Sequence, residues 1–188
     1  MSLKVTFELA DADLKHFRKI MRGAREVAKN RSADEIMSGT ESLLKDIRAE
    51  EVPDFVADRL RRIHTLIEML RDTEWDLPDA ERGRVLNSLA YFCEPHDLIP
   101  DDVPGVGFLD DAIMVELVVR ELRHEIEAYQ DFCAYRASRD SVKEDERTRA
   151  EWLAARRHAL QSRMRNRRRR ERAGRRGGSR GRSPFSLL

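Results

Sequence analysis

The segment from Tyr91 to Ala112 constrains the fold of this chain more than any other. It contains three prolines, two glycines and five aspartates, and it lies between stretches whose apolar residues have helical spacing. Proline cannot continue a helix beyond its first turn, and glycine permits backbone conformations that other residues avoid. We therefore expect two helices to be joined here by a rigid connection, which we call the elbow segment.

Five residues are expected to give the elbow segment its shape. Pro95 prevents the preceding helix from continuing, and Pro100 and Pro104 stiffen the chain that follows. Gly105 and Gly107 allow a positive φ or the close approach of another backbone. The segment is thus predicted to connect two packed, roughly antiparallel helices.

Outside the elbow segment, apolar residues recur at helical spacings, which predicts an all-α fold. The clearest series steps by 4, 3, 4 and 3 residues and consists of Val56, Leu60, Ile63, Ile67 and Leu70. A similar series predicts one long helix from Ala112 to about Arg136. Another helix should begin at the capping-box pattern Ser32–Glu35. Together these patterns indicate about six helices.

The same patterns divide the chain into four parts. The predicted parts are an extended lead-in (1–10), a helical body (11–137), a charged helix (141–172) and a basic tail (173–188). The charged helix should begin near one of two capping-box patterns, Ser141–Glu144 or Thr148–Glu151. Its expected apolar stripe is Trp152, Leu153, Leu160 and Met164. The glycine- and arginine-rich tail has a composition typical of disorder.

The elbow segment resembles the YkvA-like family of small helical proteins, whose domain has no assigned function. The shared pattern is Pro-x-Asp-Leu-Ile-Pro-Asp, then Pro-Gly-x-Gly, then Leu-Asp-Asp. In this chain it occupies Pro95–Asp101, Pro104–Gly107 and Leu109–Asp111, within a likeness covering about residues 83–120. The resemblance implies a helical hairpin and no established activity. Many shorter relatives carry apolar segments and are predicted to associate with membranes, whereas this chain is polar.

Four aspartates, Asp97, Asp101, Asp110 and Asp111, allow two interpretations. Carboxylate oxygens suit Mg²⁺ or Ca²⁺, so the elbow segment can assemble a divalent-cation site, and a metal-dependent module or enzyme centred there is one alternative. Otherwise the aspartates cap helices and accept hydrogen bonds from turn amides. His96 beside Asp97 lacks a suitably placed nucleophile, so we assign no catalytic residue and no required cofactor, and we favour a non-enzymatic role.

Charge is distributed very unevenly along the chain. Residues 156–188 contain 13 arginines and one acid, giving a net charge of +12, whereas residues 1–155 carry a net charge of −11. Arginine binds phosphate groups through paired hydrogen bonds. We therefore predict RNA or DNA binding by eleven arginines: Arg163, Arg165, Arg167, Arg168, Arg169, Arg170, Arg172, Arg175, Arg176, Arg180 and Arg182.

Other partners for the basic segment remain compatible with the sequence. The acidic part of the chain can mask it, a protein partner can bind it, or an anionic membrane can attract it peripherally. Apolar series on the third and fifth helices also allow a homodimer.

The composition favours a cytoplasmic protein without a transmembrane segment. Charged residues make up 38% of the chain, and the longest mainly apolar stretch, Ala112–Val119, is far short of the ~20 residues that span a bilayer. Cys93 and Cys133 are expected to be free thiols, as is usual in a reducing cytosol. The function predicted is that of a bacterial non-enzymatic adaptor or nucleic-acid-associated factor.

Overall fold

A computed structural model describes residues 8–49, 54–93, 109–140 and 145–177. This described part of the chain is helical and contains no strand, so the all-α prediction is confirmed. Its α-helices are α1 (Asp11–Ala28), α2 (Ala33–Ala49), α3 (Asp54–Arg71), α4 (Asp79–Leu89), α5 (Leu109–Glu121), α6 (Arg123–Asp140) and α7 (Glu146–Gly177). A 3₁₀ turn, Ala90–Cys93, follows α4.

The chain divides into two compact units. Unit 1 comprises residues 1–122 and therefore contains α1 to α5, and unit 2 comprises residues 123–188 and contains α6 and α7. Residues 173–177, predicted as part of the basic tail, belong to α7, which continues to Gly177. Alanine and arginine are good helix formers, which favours this extension. Residues 178–188 lie outside the described part.

The core of unit 1 is built around α3. Ile63, Ile67 and Leu70 are buried as the 4-3-4-3 spacing predicted, while the side chains of Val56 and Leu60 lie outside the described residues. α3 packs against α5 and more lightly against α2 and α4. The hydrophobic series on α3 therefore fills the centre of the unit.

A short connection between α3 and α4 carries one of the two tryptophans. The Oδ1 atom of Asp72 accepts hydrogen bonds from the backbone N–H groups of Glu74 and Trp75, at 2.9 and 3.0 Å. Trp75 is fully buried, and Asp76 turns the chain with a positive φ of 44°. Asparagine and aspartate tolerate this left-handed conformation better than most residues.

The beginning of α2 follows the predicted capping box. The Glu35 carboxylate accepts the backbone N–H of Ser32 at 2.6 Å, and the Ser32 hydroxyl accepts the N–H of Glu35 at 3.2 Å. The first of these hydrogen bonds lowers the pKa of Glu35. Further along, Gly39 lets α2 approach the 3₁₀ turn closely: a β-carbon built at Gly39 would lie 2.6 Å from the β-carbon of Cys93.

The prediction of one long helix from Ala112 to about Arg136 is wrong. α5 ends at Glu121 and α6 begins at Arg123, with a bend at the fully buried Leu122. The N–H of Leu122 still bonds to the carbonyl of Val118 at 2.9 Å, and the bend contains neither proline nor glycine. The apolar series therefore continues through the bend, so the spacing of its residues does not predict where the helix is interrupted.

α7 begins at Glu146, near the predicted capping-box patterns but within neither of them. Instead, Asp145 precedes the helix, and its carboxylate accepts the backbone N–H and the hydroxyl hydrogen of Thr148, at 2.9 and 2.8 Å. The backbone hydrogen bond from Thr148 is the main reason that the pKa of Asp145 is lowered. Aspartate is a strong N-cap residue by itself. The pattern Thr148–Glu151 would place the N-cap at Thr148, three residues after Asp145.

Candidate functional site

In unit 2, α6 and α7 are joined by a series of charged pairs that we call the charge ladder. Arg163 contacts Asp131 at 2.7 Å, and Arg167 contacts Glu127 at 2.7 Å. A step of four residues forward along α7 thus matches a step of four back along α6. The two helices therefore run antiparallel in a fixed register.

The most buried pair of the charge ladder is Arg168 with Glu125. Its N···O distance is 2.8 Å, the Glu125 side chain is fully buried, and that of Arg168 is 18% exposed. A buried carboxylate is costly unless a positive group or hydrogen bonds compensate it. We infer that Arg168 stabilises the fold of unit 2 by compensating the charge of this carboxylate.

Glu171 ends the charge ladder at the beginning of α6. Its Oε2 atom lies 2.9 Å from Nε2 of His124 and 3.2 Å from a guanidinium nitrogen of Arg123. Glu171 is the only acid among the thirteen arginines of residues 156–188, and it faces α6. Its position extends the same antiparallel register to the first residues of α6.

Three other arginines of α7 form no ion pair with α6, a helix that the structure describes throughout. Arg165, Arg169 and Arg172 follow one another at steps of four and three residues, so they lie on one helical stripe. Arg169 and Arg172 are exposed and Arg165 is half-buried, with one guanidinium nitrogen 3.3 Å from the Ser162 hydroxyl. We call this stripe the outer arginine face.

Near the other end of the hairpin, two arginines pack on two aromatic rings. The guanidinium of Arg139 lies 5.2 Å from the ring centre of Trp152 and 5.5 Å from that of Tyr135. Arg156 lies 5.2 Å from the Tyr135 ring. These distances are within the range of cation–π attraction. We call these four residues the arginine–aromatic cluster.

The placement of Trp152 corrects the predicted apolar stripe of the charged helix. Leu153, Leu160 and Met164 are buried as expected, whereas Trp152 is 48% exposed. The three buried residues recur at steps of seven and four, and Trp152 is one position, or about 100°, away from Leu153. This spacing indicates that Trp152 lies outside the buried stripe. Trp152 was assigned to the stripe because tryptophan is apolar.

At the edge of the elbow segment, the structure describes two of the four predicted metal-ligand candidates. Asp110 and Asp111 lie in the first turn of α5 and are buried, and the Tyr91 hydroxyl is 3.4 Å from Oδ2 of Asp110. Carboxylates in a first turn suit the positive end of the helix dipole.

The remaining elbow residues, namely Asp97, Asp101, Pro95, Pro100, Pro104, Gly105 and Gly107, lie outside the described residues. Within the described ranges, no group of three or more histidine, cysteine, aspartate or glutamate residues is arranged to hold a metal. The four-aspartate cation site therefore stays a prediction.

Comparison with known proteins identifies the region around the elbow segment. Residues 82–117 match a protein family of unknown function, DUF1232. The protein described as "Uncharacterized membrane protein YkvA" of Bacillus subtilis strain 168 is 32% identical over 77 residues, covering 38% of this chain and 71% of that protein. This chain belongs to the YkvA-like family. No solved structure matches it.

The YkvA-like family match and the charged hairpin occupy different parts of the chain. The matched residues 82–117 belong to unit 1, whereas the charge ladder belongs to unit 2. Among the helices described, none is both long enough and apolar enough to cross a membrane. The family therefore accounts for the elbow segment and its helices, and the arginines need an explanation of their own.

The eleven arginines predicted to bind nucleic acid fall into three groups. Arg163, Arg167 and Arg168 are engaged with α6 in the charge ladder. A second group consists of Arg165, Arg169, Arg170 and Arg172, for which no carboxylate among the described residues lies within ion-pair distance. The third group has side chains outside the described residues and consists of Arg175, Arg176, Arg180 and Arg182.

Proposed function

We propose that this YkvA-like protein is a non-enzymatic, nucleic-acid-associated factor that binds RNA or DNA phosphates through the outer arginine face. The observation that carries the proposal is that some arginines of α7 pair with carboxylates of α6 and others do not. Carboxylates of α6 engage Arg163, Arg167 and Arg168. The outer arginine face, Arg165, Arg169 and Arg172, forms no ion pair among the described residues.

The physical argument rests on what an exposed row of guanidinium groups costs. Arginines on one stripe repel one another, and folding alone gives no reason to place them together without acids. A phosphate backbone supplies negative charge at short intervals and releases counterions when arginines neutralise it. The +12 charge of residues 156–188 adds a long-range attraction for the same partner.

In this proposal the two units have different tasks. Unit 1, which holds the YkvA-like match, is a helical scaffold or a docking module for a protein partner, and unit 2 supplies affinity for nucleic acid. The proposal assigns the protein to the cytoplasm, where RNA and DNA are available. It requires neither a catalytic residue nor a cofactor.

Two charge-matched double variants test the proposal. Arg165→Gln with Arg169→Gln alters the outer arginine face, and Arg163→Gln with Arg167→Gln alters the charge ladder. Both pairs are four residues apart on α7, and both remove two charges. Binding of a labelled single-stranded oligonucleotide is measured over a series of salt concentrations, beginning at about 50 mM.

We expect the outer-face variant to bind more weakly and to lower the salt slope by about 1.4, since each lost contact to a single strand accounts for about 0.7. The ladder variant should keep most of its affinity and slope. Equal losses in the two variants, or no loss in either, would contradict the proposal.

The name of the relative favours a second candidate, which is peripheral binding to an anionic membrane. The Bacillus subtilis relative is described as a membrane protein. Each arginine near an anionic bilayer contributes roughly 1 kcal/mol of attraction. If this candidate is correct, the protein sediments with phosphatidylglycerol vesicles but not with phosphatidylcholine vesicles, the outer-face variant sediments less, and the oligonucleotide does not bind.

A further inference from the structure

The arginine–aromatic cluster leaves a large aromatic ring accessible on the surface of unit 2. Trp152 is 48% exposed, and the other exposed large hydrophobic side chain of the described residues is Val27 in α1. A ring of this size stabilises a protein mainly when it is buried, so the exposed position forgoes much of that contribution. Core packing therefore does not explain why a tryptophan is present at position 152.

Contacts from α6 hold the cluster in a defined arrangement. Arg139 lies near the rings of Trp152 and Tyr135 at 5.2 and 5.5 Å, and its Nε donates a hydrogen bond to the Tyr135 hydroxyl at 3.3 Å. Arg156, one turn after Trp152 on α7, lies near the opposite ring of the pair, Tyr135, at 5.2 Å. An exposed ring that its neighbours hold in place binds a flat ligand better than a mobile ring does, because it loses less rotamer freedom on binding.

Two positive charges near the ring belong to the arginine–aromatic cluster itself. These are Arg139 and Arg156. Nearby, Arg149 engages Asp140 at 2.9 Å. On α7, Trp152 also shares one side of the helix with Arg156 and Arg163, because these residues follow at steps of four and seven. The ring thus lies on the same side of α7 as Arg156, whose guanidinium group can bind a phosphate.

We propose that the arginine–aromatic cluster is a stacking site for an unpaired nucleobase, with Trp152 as the platform and Arg139 and Arg156 as phosphate contacts. Every base has a flat π-face, and stacking on aromatic side chains is a general way to bind single strands without sequence preference. A base within a duplex is already stacked and cannot use this site. The inference rests on the proposed function and narrows its substrate class to single-stranded RNA or DNA.

Binding of two probes by the full-length protein tests the site. One probe is a single-stranded oligothymidylate of about 15 nucleotides, and the other is an abasic oligomer with the same number of phosphates. The variants are Trp152→Ala and Trp152→Phe. Val27→Ala serves as a matched control, because it also shortens an exposed apolar side chain.

Trp152→Ala is expected to weaken oligothymidylate binding by about 5- to 150-fold, which corresponds to loss of one stacked base. Trp152→Phe should restore part of the affinity, and Val27→Ala should bind like the unaltered protein. Binding of the abasic oligomer should be the same with and without Trp152. Circular dichroism of Trp152→Ala checks that the helices are retained.

Three results would overturn the stacking site: equal affinity of Trp152→Ala for oligothymidylate, equal losses for both probes, or preferred binding of phosphatidylglycerol vesicles that depends on Trp152. Failure of the proposed function is distinguishable, because then the unaltered protein binds neither oligomer at low salt. If both oligomers bind with similar affinity and Trp152 has no effect, only the stacking site fails.

Discussion

At Gly39 the backbone of α2 passes so close to the 3₁₀ turn that there is no room for a side chain. A β-carbon would lie 2.6 Å from the Cys93 β-carbon and 3.1 Å from its α-carbon, so the backbone itself would have to move. Alanine is favoured over glycine in a helix by about 1 kcal/mol, whereas overpacking costs about 1 to 3 kcal/mol. We expect Gly39→Ala to lower the free energy of unfolding, measured by urea denaturation.

Gly23 in α1 gives the matched control for this prediction. A β-carbon at Gly23 meets no atom within 4 Å, so only the helix preference for alanine applies. Gly23→Ala should therefore raise the free energy of unfolding by up to about 1 kcal/mol. The close approach at Gly39 would be refuted if the two substitutions changed stability in the same direction and by the same amount.

Asp145 makes the beginning of α7 sensitive to acid. Hydrogen bonds from Thr148 lower the pKa of the Asp145 carboxyl, which means that the folded protein binds this proton less readily than the unfolded chain. The stabilisation is therefore present above the pKa of the unfolded state and is lost as pH falls through the lower pKa of the folded state.

We expect the Thr148 amide to exchange with solvent faster in Asp145→Ala than in the unaltered protein at neutral pH. Asp145→Asn should retain most of the protection, because asparagine is also a good N-cap residue. Hydrogen exchange followed by NMR measures the effect. Identical protection of Thr148 in all three proteins would show that the cap is unimportant.

Among the elements, the charge ladder gives α6 a second effect beyond folding. The carboxylates of Glu127 and Asp131 form ion pairs with Arg167 and Arg163. If the proposed function is correct, these ion pairs compete with phosphate for the two guanidinium groups. Both pairs are about half exposed, so each contributes about 0.2 to 1 kcal/mol to stability. Neutral side chains at the two acids should leave the hairpin folded and make two arginines available.

Glu127→Gln combined with Asp131→Asn is therefore expected to strengthen oligonucleotide binding and to raise the salt slope by up to about 1.4. Fluorescence anisotropy over a salt series measures both quantities, and a thermal melt verifies folding. Unchanged affinity with a retained fold would indicate that the ladder arginines have no access to the nucleic acid.

Local rules predicted several elements correctly. The capping box at Ser32–Glu35 and the buried α3 residues Ile63 and Ile67 depend on interactions within a few residues, which the sequence displays directly. The bend at Leu122 could not be read in this way, because the apolar series and the backbone hydrogen bond both continue through it. Family membership was also predictable, since it depends on the order of residues rather than on packing.

The candidate site was predictable in composition but not in arrangement. The sequence shows an arginine-rich segment, yet it does not show which arginines face α6, because that depends on the register of two helices. Trp152 illustrates the same limit: its neighbour Tyr135 is on the other helix, so the cluster exists only after the hairpin has formed.

In the whole molecule, negative and positive charge are separated along the chain: residues 1–155 carry a net charge of −11 and residues 156–188 a net charge of +12. If the outer arginine face binds nucleic acid, the last eleven residues contribute affinity but are not essential. Deletion of residues 178–188 removes Arg180 and Arg182 and leaves α7 intact to Gly177. Deletion from residue 165 would instead remove part of the charge ladder and is a poorer test.

We therefore expect the protein without residues 178–188 to bind an oligonucleotide more weakly at low salt, with a salt slope smaller by about 1.4. The affinity should still exceed that of the Arg165→Gln, Arg169→Gln variant in the same truncated chain. Complete loss of binding on truncation would show that residues 178–188, and not α7, make the contacts to nucleic acid.

The antiparallel register of the charge ladder also sets a rule for how this protein can vary. Glu125 and Arg168 form its buried pair, so a change of sign at either position is tolerated only with the opposite change at its partner. The outer arginine face has no such partner on α6 and varies independently of it. Among relatives that keep the hairpin, changes at the two positions of this pair should therefore occur together, whereas arginine replacements on the outer face should occur singly.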